Sequence, residues 1–275
     1  MNEIMIELIS EYDTAFEEAF WEMANGMTPE QFEKLGSEVC GDKIREQLKN
    51  WFDAPNEIAE GQTPLAFVGA LSEADTLEFL TLIFEKSSEV IEFYAPALRS
   101  KEDFLFTKLQ EAFKSVDATS LEGLFFELSV LFSLYKDEKA LNLFISFIMN
   151  ASKEHEDLVD FVQGLFVNFG EMATDKLLRL VSIDSTYCGR IENIYSAISN
   201  SSAKCDKAFQ ALGRFFQNAP VKSFAAFCLG VYGDERAVPV LMRWIEYAQE
   251  NPQEVSKVEL GDVLAAIKQL VPKKG

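Results

Sequence analysis

The chain has 275 residues, 48% of them hydrophobic, with 45 acidic residues against 25 basic ones and a net charge of −20. That is ample material for a core and excludes disorder on the scale of a domain. So strong a negative field repels nucleic acid and anionic membranes and favours basic partners or simple solubility.

The first stretch, MNEIMIELISEYD, has no basic leader and carries acids through its apolar part, so no signal peptide is expected. The acid excess is concentrated early: residues 1–60 hold 15 acids and 4 bases, a net of −11, whereas residues 201–275 hold 8 and 10, a net of +2. Met1, Met5, Phe16, Phe20, Trp21, Met23 and Met27 form an acidic amphipathic segment expected to pack on the first repeat described below. Thr28-Pro29-Glu30-Gln31 reads as a helix start, with a capping threonine, a proline at the first helical position and a capping-box glutamine. Thr63-Pro64 repeats the cap and proline.

Beyond residue 57 almost every segment shows helical periodicity. In 137–148, Ala140, Leu141, Phe144, Phe147 and Ile148 follow the i, i+3, i+4, i+7 stripe of a buried helix face. Phe125, Phe126 and Phe132 fall at core spacing in the same way. No Asn-Gly or Asp-Gly dipeptide marks a hairpin. Breaks at Ala54-Pro55-Asn56, Gly61, Asn218-Ala219-Pro220 and Glu250-Asn251-Pro252 divide the chain into about fifteen helices with short turns. The last, near 255–271, is expected to use Val255, Val258, Val263, Leu264, Ile267 and Leu270 to close the array.

An internal repeat is visible. Residues 131–148, LFSLYKDEKALNLFISFI, align with 228–245, CLGVYGDERAVPVLMRWI, at an offset of 97. The alignment pairs Tyr135 with Tyr232, Asp137 with Asp234, Lys139 with Arg236 and Ala140 with Ala237. A looser copy lies 64 residues earlier, through Phe67, Val68, Leu71, Glu73, Leu77, Phe79, Leu80, Ile83 and Phe84. Both offsets are near multiples of 32, the length of two helices and two turns. A single such hairpin cannot bury its apolar face, and stacking solves that. In the last copy Gly233 is expected to allow the tight turn, Asp234 to cap the next helix and Pro239 to lie in its first turn.

The segment from Ala225 to Leu241, AAFCLGVYGDERAVPVL, resembles the HEAT-like repeats named after phycobilisome lyases. The resemblance implies an all-α fold, an α-α superhelix of about six helix pairs: residues 1–57 as an N-terminal helical cap continuous with a repeat array over 58–275. It also implies that the second helices line a concave face. Partner-binding positions on that face are then Glu78, Thr81 and Glu85, followed by Asn142, Ser146 and Met149, and by Met242, Arg243, Glu246 and Tyr247.

Signs of chemistry are sparse. His155 is the sole histidine and sits among Lys153, Glu154, Glu156 and Asp157, where a solvated helix start is expected rather than a general base. Cys40, Cys188, Cys205 and Cys228 form no Cys-x-x-Cys pair and read as reduced, buried thiols of a cytoplasmic protein. There is no Gly-x-Gly-x-x-Gly, no Walker-type loop, no Gly-x-Ser-x-Gly and no calcium loop. No cofactor or metal is therefore expected. The function expected is a non-catalytic scaffold or adaptor for a protein or peptide with a basic surface, without nucleic acid or membrane. Two alternatives stand beside it: a lyase or chaperone subunit acting with a partner, and an acidic decoy of a nucleic-acid-binding protein.

Overall fold

In the computed structural model the described residues are 1–25, 27–28, 43–86, 90–115, 122–183, 189–201 and 203–271. Their regular secondary structure is entirely helical, with no strand among them. Pro29, Glu30 and Gln31 of the expected helix start, and two of the four cysteines, Cys40 and Cys188, lie outside the described residues. No helix is long and apolar enough to cross a membrane among them. The chain divides into two compact units, Met1–Tyr135 and Lys136–Gly275.

The first unit comprises α1 (Asn2–Asn25), α2 (43–53), α3 (Pro64–Ala70), α4 (Glu73–Glu85), α5 (Ile91–Leu98), α6 (Glu102–Lys114) and α7 (Glu122–Tyr135), with a 3-10 turn at Arg99–Lys101 after α5. Local chemistry sets the starts. Thr63 Oγ1 accepts the Ala66 amide at 3.1 Å with Pro64 in the first turn, and Ser72 Oγ accepts the Asp75 amide at 3.1 Å. The α1 helix packs on α4, as the sequence suggested for this amphipathic segment, burying Met5, Leu8, Ile9 and Tyr12 and leaving Trp21 outside.

Rings from three helices meet around Phe52: Tyr12, Trp51, Phe93 and Tyr94 all lie within 4.8–5.7 Å of it, centroid to centroid. Such pairs add about 0.5–1.5 kcal/mol each beyond the area they bury. The α7 helix is the inner member of the unit, packed against α4, α5 and α6.

The second unit comprises α8 (Glu138–Asn150), α9 (Glu156–Gly164), α10 (Phe166–Phe169), α11 (Glu171–Ile183), α12 (Gly189–Asn200), α13 (Asp206–Asn218), α14 (Lys222–Tyr232), α15 (Val238–Glu250) and α16 (Lys257–Leu270). Here α11 pairs with α12, α13 with α14 and α15 with α16, while α12, α14 and α16 also pack on one another in series. The α14–α16 contact is the most extensive and runs parallel. The Lys222 amide donates to Glu259 Oε1 at 2.6 Å near both N-termini, and two turns on Gly230 meets Ala266. A Cβ on Gly230 would stand 3.3 Å from the Ala266 Cα and displace the Gln269 side-chain amide, so glycine lets the two helices approach closely here.

The buried stripe of α16 is Val263, Ala266 and Leu270. Val258 and Leu264, expected inside, are 73% and 41% exposed because they fall to either side of that stripe.

The α12 helix is the centre of this unit, touching α8, α9, α10, α11, α13 and α14. Its core face is partly polar. Ser196 Oγ donates to Gln163 Oε1 at 2.6 Å, Gln163 Nε2 donates to the Asn193 carbonyl at 3.3 Å, and Asn193 Nδ2 donates to the Ile148 carbonyl at 2.7 Å. Just beyond its end, Ser201 and Thr174 share a hydrogen bond of 2.7 Å. Paired polar groups of this kind fix the register of helices that an all-aliphatic seam would leave free to slide.

The repeat copies carry matching local devices. Tyr135 and Tyr232 end α7 and α14, and each hydroxyl donates to a backbone carbonyl of an earlier segment, Ala95 at 2.7 Å and Cys205 at 3.1 Å. The next residues, Lys136 and Gly233, are both left-handed, with φ of 54° and 71°. Asp137 and Asp234 then cap the following turns, accepting the amides of Ala140 at 2.8 Å and Arg236 at 3.0 Å. Pro239 lies in the first turn of α15. In the looser copy the cap is Ser72 rather than the aligned Glu73; its connection, like that between α7 and α8, is two residues long, so the helix boundary falls one residue away from the 64-residue offset.

Candidate functional site

The ten positions assigned to a concave face all avoid the core. Glu78, Glu85, Asn142, Ser146, Met242, Arg243, Glu246 and Tyr247 are exposed, and Thr81 and Met149 are half-buried. Several are engaged in contacts. Glu78 Oε1 accepts from Asn2 Nδ2 at 2.6 Å, Asn142 Oδ1 accepts from Lys176 Nζ at 2.7 Å, and the Tyr247 hydroxyl donates to Glu254. Glu78, Thr81 and Glu85 share α4 in the first unit. In the second unit Asn142, Ser146 and Met149 lie on α8, which packs on α9 and α12, whereas the α15 set belongs to a helix packed on α16. The two sets thus rest on different neighbours.

Charge divides between the units more sharply than along the sequence. Met1–Tyr135 holds 27 acidic and 9 basic residues, a net of −18, and Lys136–Gly275 holds 18 and 16, a net of −2. Of the 9 bases in the first unit only Arg45 and Arg99 are arginines, and both line one open cleft of about 510 Å³. Its other lining residues are Glu92, Phe93, Ala95, Pro96, Leu134 and Tyr135.

Each cleft side chain is placed by an identifiable device. Arg45 projects from α2 and makes a two-point pair with Glu92 of α5, Nε to Oε1 at 3.1 Å and Nη2 to Oε2 at 3.2 Å. Pro96 sits inside α5 and has no amide hydrogen, so the Glu92 carbonyl loses its intrahelical donor at the cleft wall. Arg99 begins the 3-10 turn after α5. Its guanidinium carbon lies 3.8 Å from the centre of the Tyr135 ring, and Nη1 donates to Glu102 Oε2 at 2.9 Å. The Tyr135 hydroxyl, tied to the Ala95 carbonyl, fixes the ring beneath the guanidinium. Burial pushes the Tyr135 hydroxyl well above its ordinary pKa, with Arg99 pulling weakly the other way, so the ring stays neutral. Both arginine side chains are about half exposed, 49% and 48%.

Counting acids and bases along the sequence missed this cleft, because it merged lysine with arginine. The usable signal was the scarcity of arginine in the acidic half.

His155 lies half-buried at the start of α9 among acidic residues. Among the described residues no three histidine, cysteine or carboxylate side chains are gathered to hold a metal. Cys228 is fully buried, and burial pushes its thiol up to about 12, far from a reactive thiolate. Cys205, expected inside, is exposed as the residue capping α13, with its amide and carbonyl both bonded to the Tyr232 hydroxyl.

One buried carboxyl stands apart. Glu127 of α7 has Oε2 shielded from solvent without a hydrogen-bond partner among the described residues, and burial raises its pKa from 4.5 to about 7. The residue as a whole is half-buried on α7 and is not among the residues lining the arginine cleft. Comparison with family models, with curated proteins and with solved structures finds no match for the chain.

Proposed function

We propose that the protein is a non-catalytic binding module whose acidic first unit captures a protein or peptide with a basic surface. The observation that carries this reading is the confinement of nearly all the excess negative charge to Met1–Tyr135. A field of that size raises the rate at which a basic partner arrives, and it is screened over about 8 Å at physiological salt. The architecture we propose beneath it is the HEAT-like array. Its support is the pair of left-handed turns 97 residues apart, the tyrosine and aspartate that flank each, and the serial packing of α12, α14 and α16. A cytoplasmic setting with reduced thiols fits the exposed, unbonded Cys205.

Affinity purification with mass spectrometry identifies the partner, and stopped-flow mixing then measures its association rate. That rate is expected to fall about tenfold or more between low and physiological ionic strength, with dissociation changing less. Glu17→Gln with Glu18→Gln should reproduce part of the loss, since both side chains are exposed on α1. Glu11 is unsuitable for this test because it accepts a hydrogen bond from Asn56 Nδ2 at 2.5 Å and is half-buried. An association rate indifferent to both salt and these substitutions would leave the acids with a role in solubility only.

A further inference from the structure

We infer that the cleft between α2, α5 and α7 binds a carboxylate, presented by an acidic side chain of a peptide flanked by aliphatic residues. The receptor is Arg99. Among the described residues only its Nη1 meets a protein acceptor, Glu102, so the Nε and Nη2 hydrogens remain for a ligand. Those two donors lie along one edge of a planar group, and their fork matches the two oxygens of a carboxylate. The Tyr135 ring holds that plane at 3.8 Å, so little side-chain freedom is left to lose on binding. Phe93, Pro96 and Leu134 supply apolar lining beside it, suited to the aliphatic neighbours of the acid.

Arg45 has a different part. Its two-point pair with Glu92 satisfies its own fork and neutralises its charge, so it shapes the rim rather than gripping the ligand. The surrounding unit decides the class of anion. A net of −18 penalises a phosphate dianion roughly twice as much as a carboxylate monoanion, and it penalises a nucleic-acid strand far more. Carboxylate capture here is independent of the charge-steered docking proposed above, and the two would fail separately: one needs Arg99, the other the exposed acids of α1.

The test uses the full chain labelled with ¹⁵N, reading the Arg99 Nε–H resonance during titration with acetyl-Leu-Glu-Leu-amide, its Gln counterpart and inorganic phosphate. The Glu peptide is expected to shift the resonance saturably, and the Gln peptide to bind at least about tenfold more weakly, as loss of a charge-assisted pair demands. Because Arg99→Lys removes the reporting resonance, its affinity is read by calorimetry, with circular dichroism confirming an unchanged fold. That variant keeps the charge and loses the fork, and should weaken the Glu peptide about tenfold or more, while Arg45→Lys changes it less than about threefold. Equal binding of the Gln peptide, wild-type affinity in Arg99→Lys, tighter binding of phosphate, or no saturable shift would each overturn the assignment.

Discussion

Glu127 provides the sharpest test of how the first unit is packed. Its carboxyl is raised from 4.5 to about 7 by burial, and no neighbouring charge contributes. Between those two values the folded chain holds a proton that the unfolded chain has released. The contribution of Glu127 to stability is therefore greatest below pH 4.5 and is lost as pH rises through about 7. At 1.36 kcal/mol per pH unit, the share of this loss between pH 5 and pH 8 is about 2–3 kcal/mol. Glu127→Gln keeps the shape and removes the titration. Urea unfolding followed by circular dichroism, at pH 5, 6, 7 and 8 on both proteins, isolates the effect, since the other carboxylates cancel in the difference. The variant should gain on the wild type between pH 5 and pH 7 and then level off, by about 2–3 kcal/mol in all. Parallel curves, with the same gap at pH 5 and pH 8, would show that the carboxyl titrates normally and that α7 does not bury it.

Three further outcomes are expected from the same kind of measurement. Gly233→Ala should cost about 1 kcal/mol by placing a Cβ at φ of 71°, whereas Lys136→Gly should stabilise by a similar amount because Lys136 already occupies that conformation at 54°; equal responses would dissolve the equivalence of the two turns. Leu241→Ala and Phe144→Ala, both fully buried, should each cost about 2–5 kcal/mol, and Arg243→Ala, exposed on the helix that holds Leu241, under about 0.5 kcal/mol; unfolding midpoints that moved alike for all three would reverse the assignment of faces. Ser196→Ala leaves Gln163 Oε1 without its donor in the core and should cost about 1–3 kcal/mol, while Ser146→Ala on the exposed face of α8 should be nearly silent; a neutral Ser196→Ala would mean that water replaces the hydroxyl at no penalty.

Local chemistry was legible in the residues themselves. Thr63-Pro64, Gly233, Asp137, Asp234 and Pro239 all do in the structure what their side chains and dihedral limits predict, because capping and turn geometry are settled within four or five residues. The inward stripe of α8 and α15 was equally readable, since helical periodicity alone puts Phe144 and Leu241 opposite Asn142 and Arg243.

Tertiary packing decided the rest. Val258 and Leu264 looked like core residues of α16 and proved exposed, because the direction from which α14 approaches selects the Val263–Ala266–Leu270 stripe. Gly230 carries no sign in its own neighbourhood of the helix that must pass beside it. The hydrogen-bonded seam of Gln163, Asn193 and Ser196 joins residues about thirty apart, each of which alone reads as ordinary surface. Glu127 likewise looks like one of many solvated acids until α7 is placed inside the unit. The arginine cleft depends on positions 45, 92, 99 and 135 meeting across three helices and a turn. Periodicity and capping report which way a side chain faces from its own helix. What it then meets depends on the angle and register of helices distant in sequence, and no local pattern encodes those.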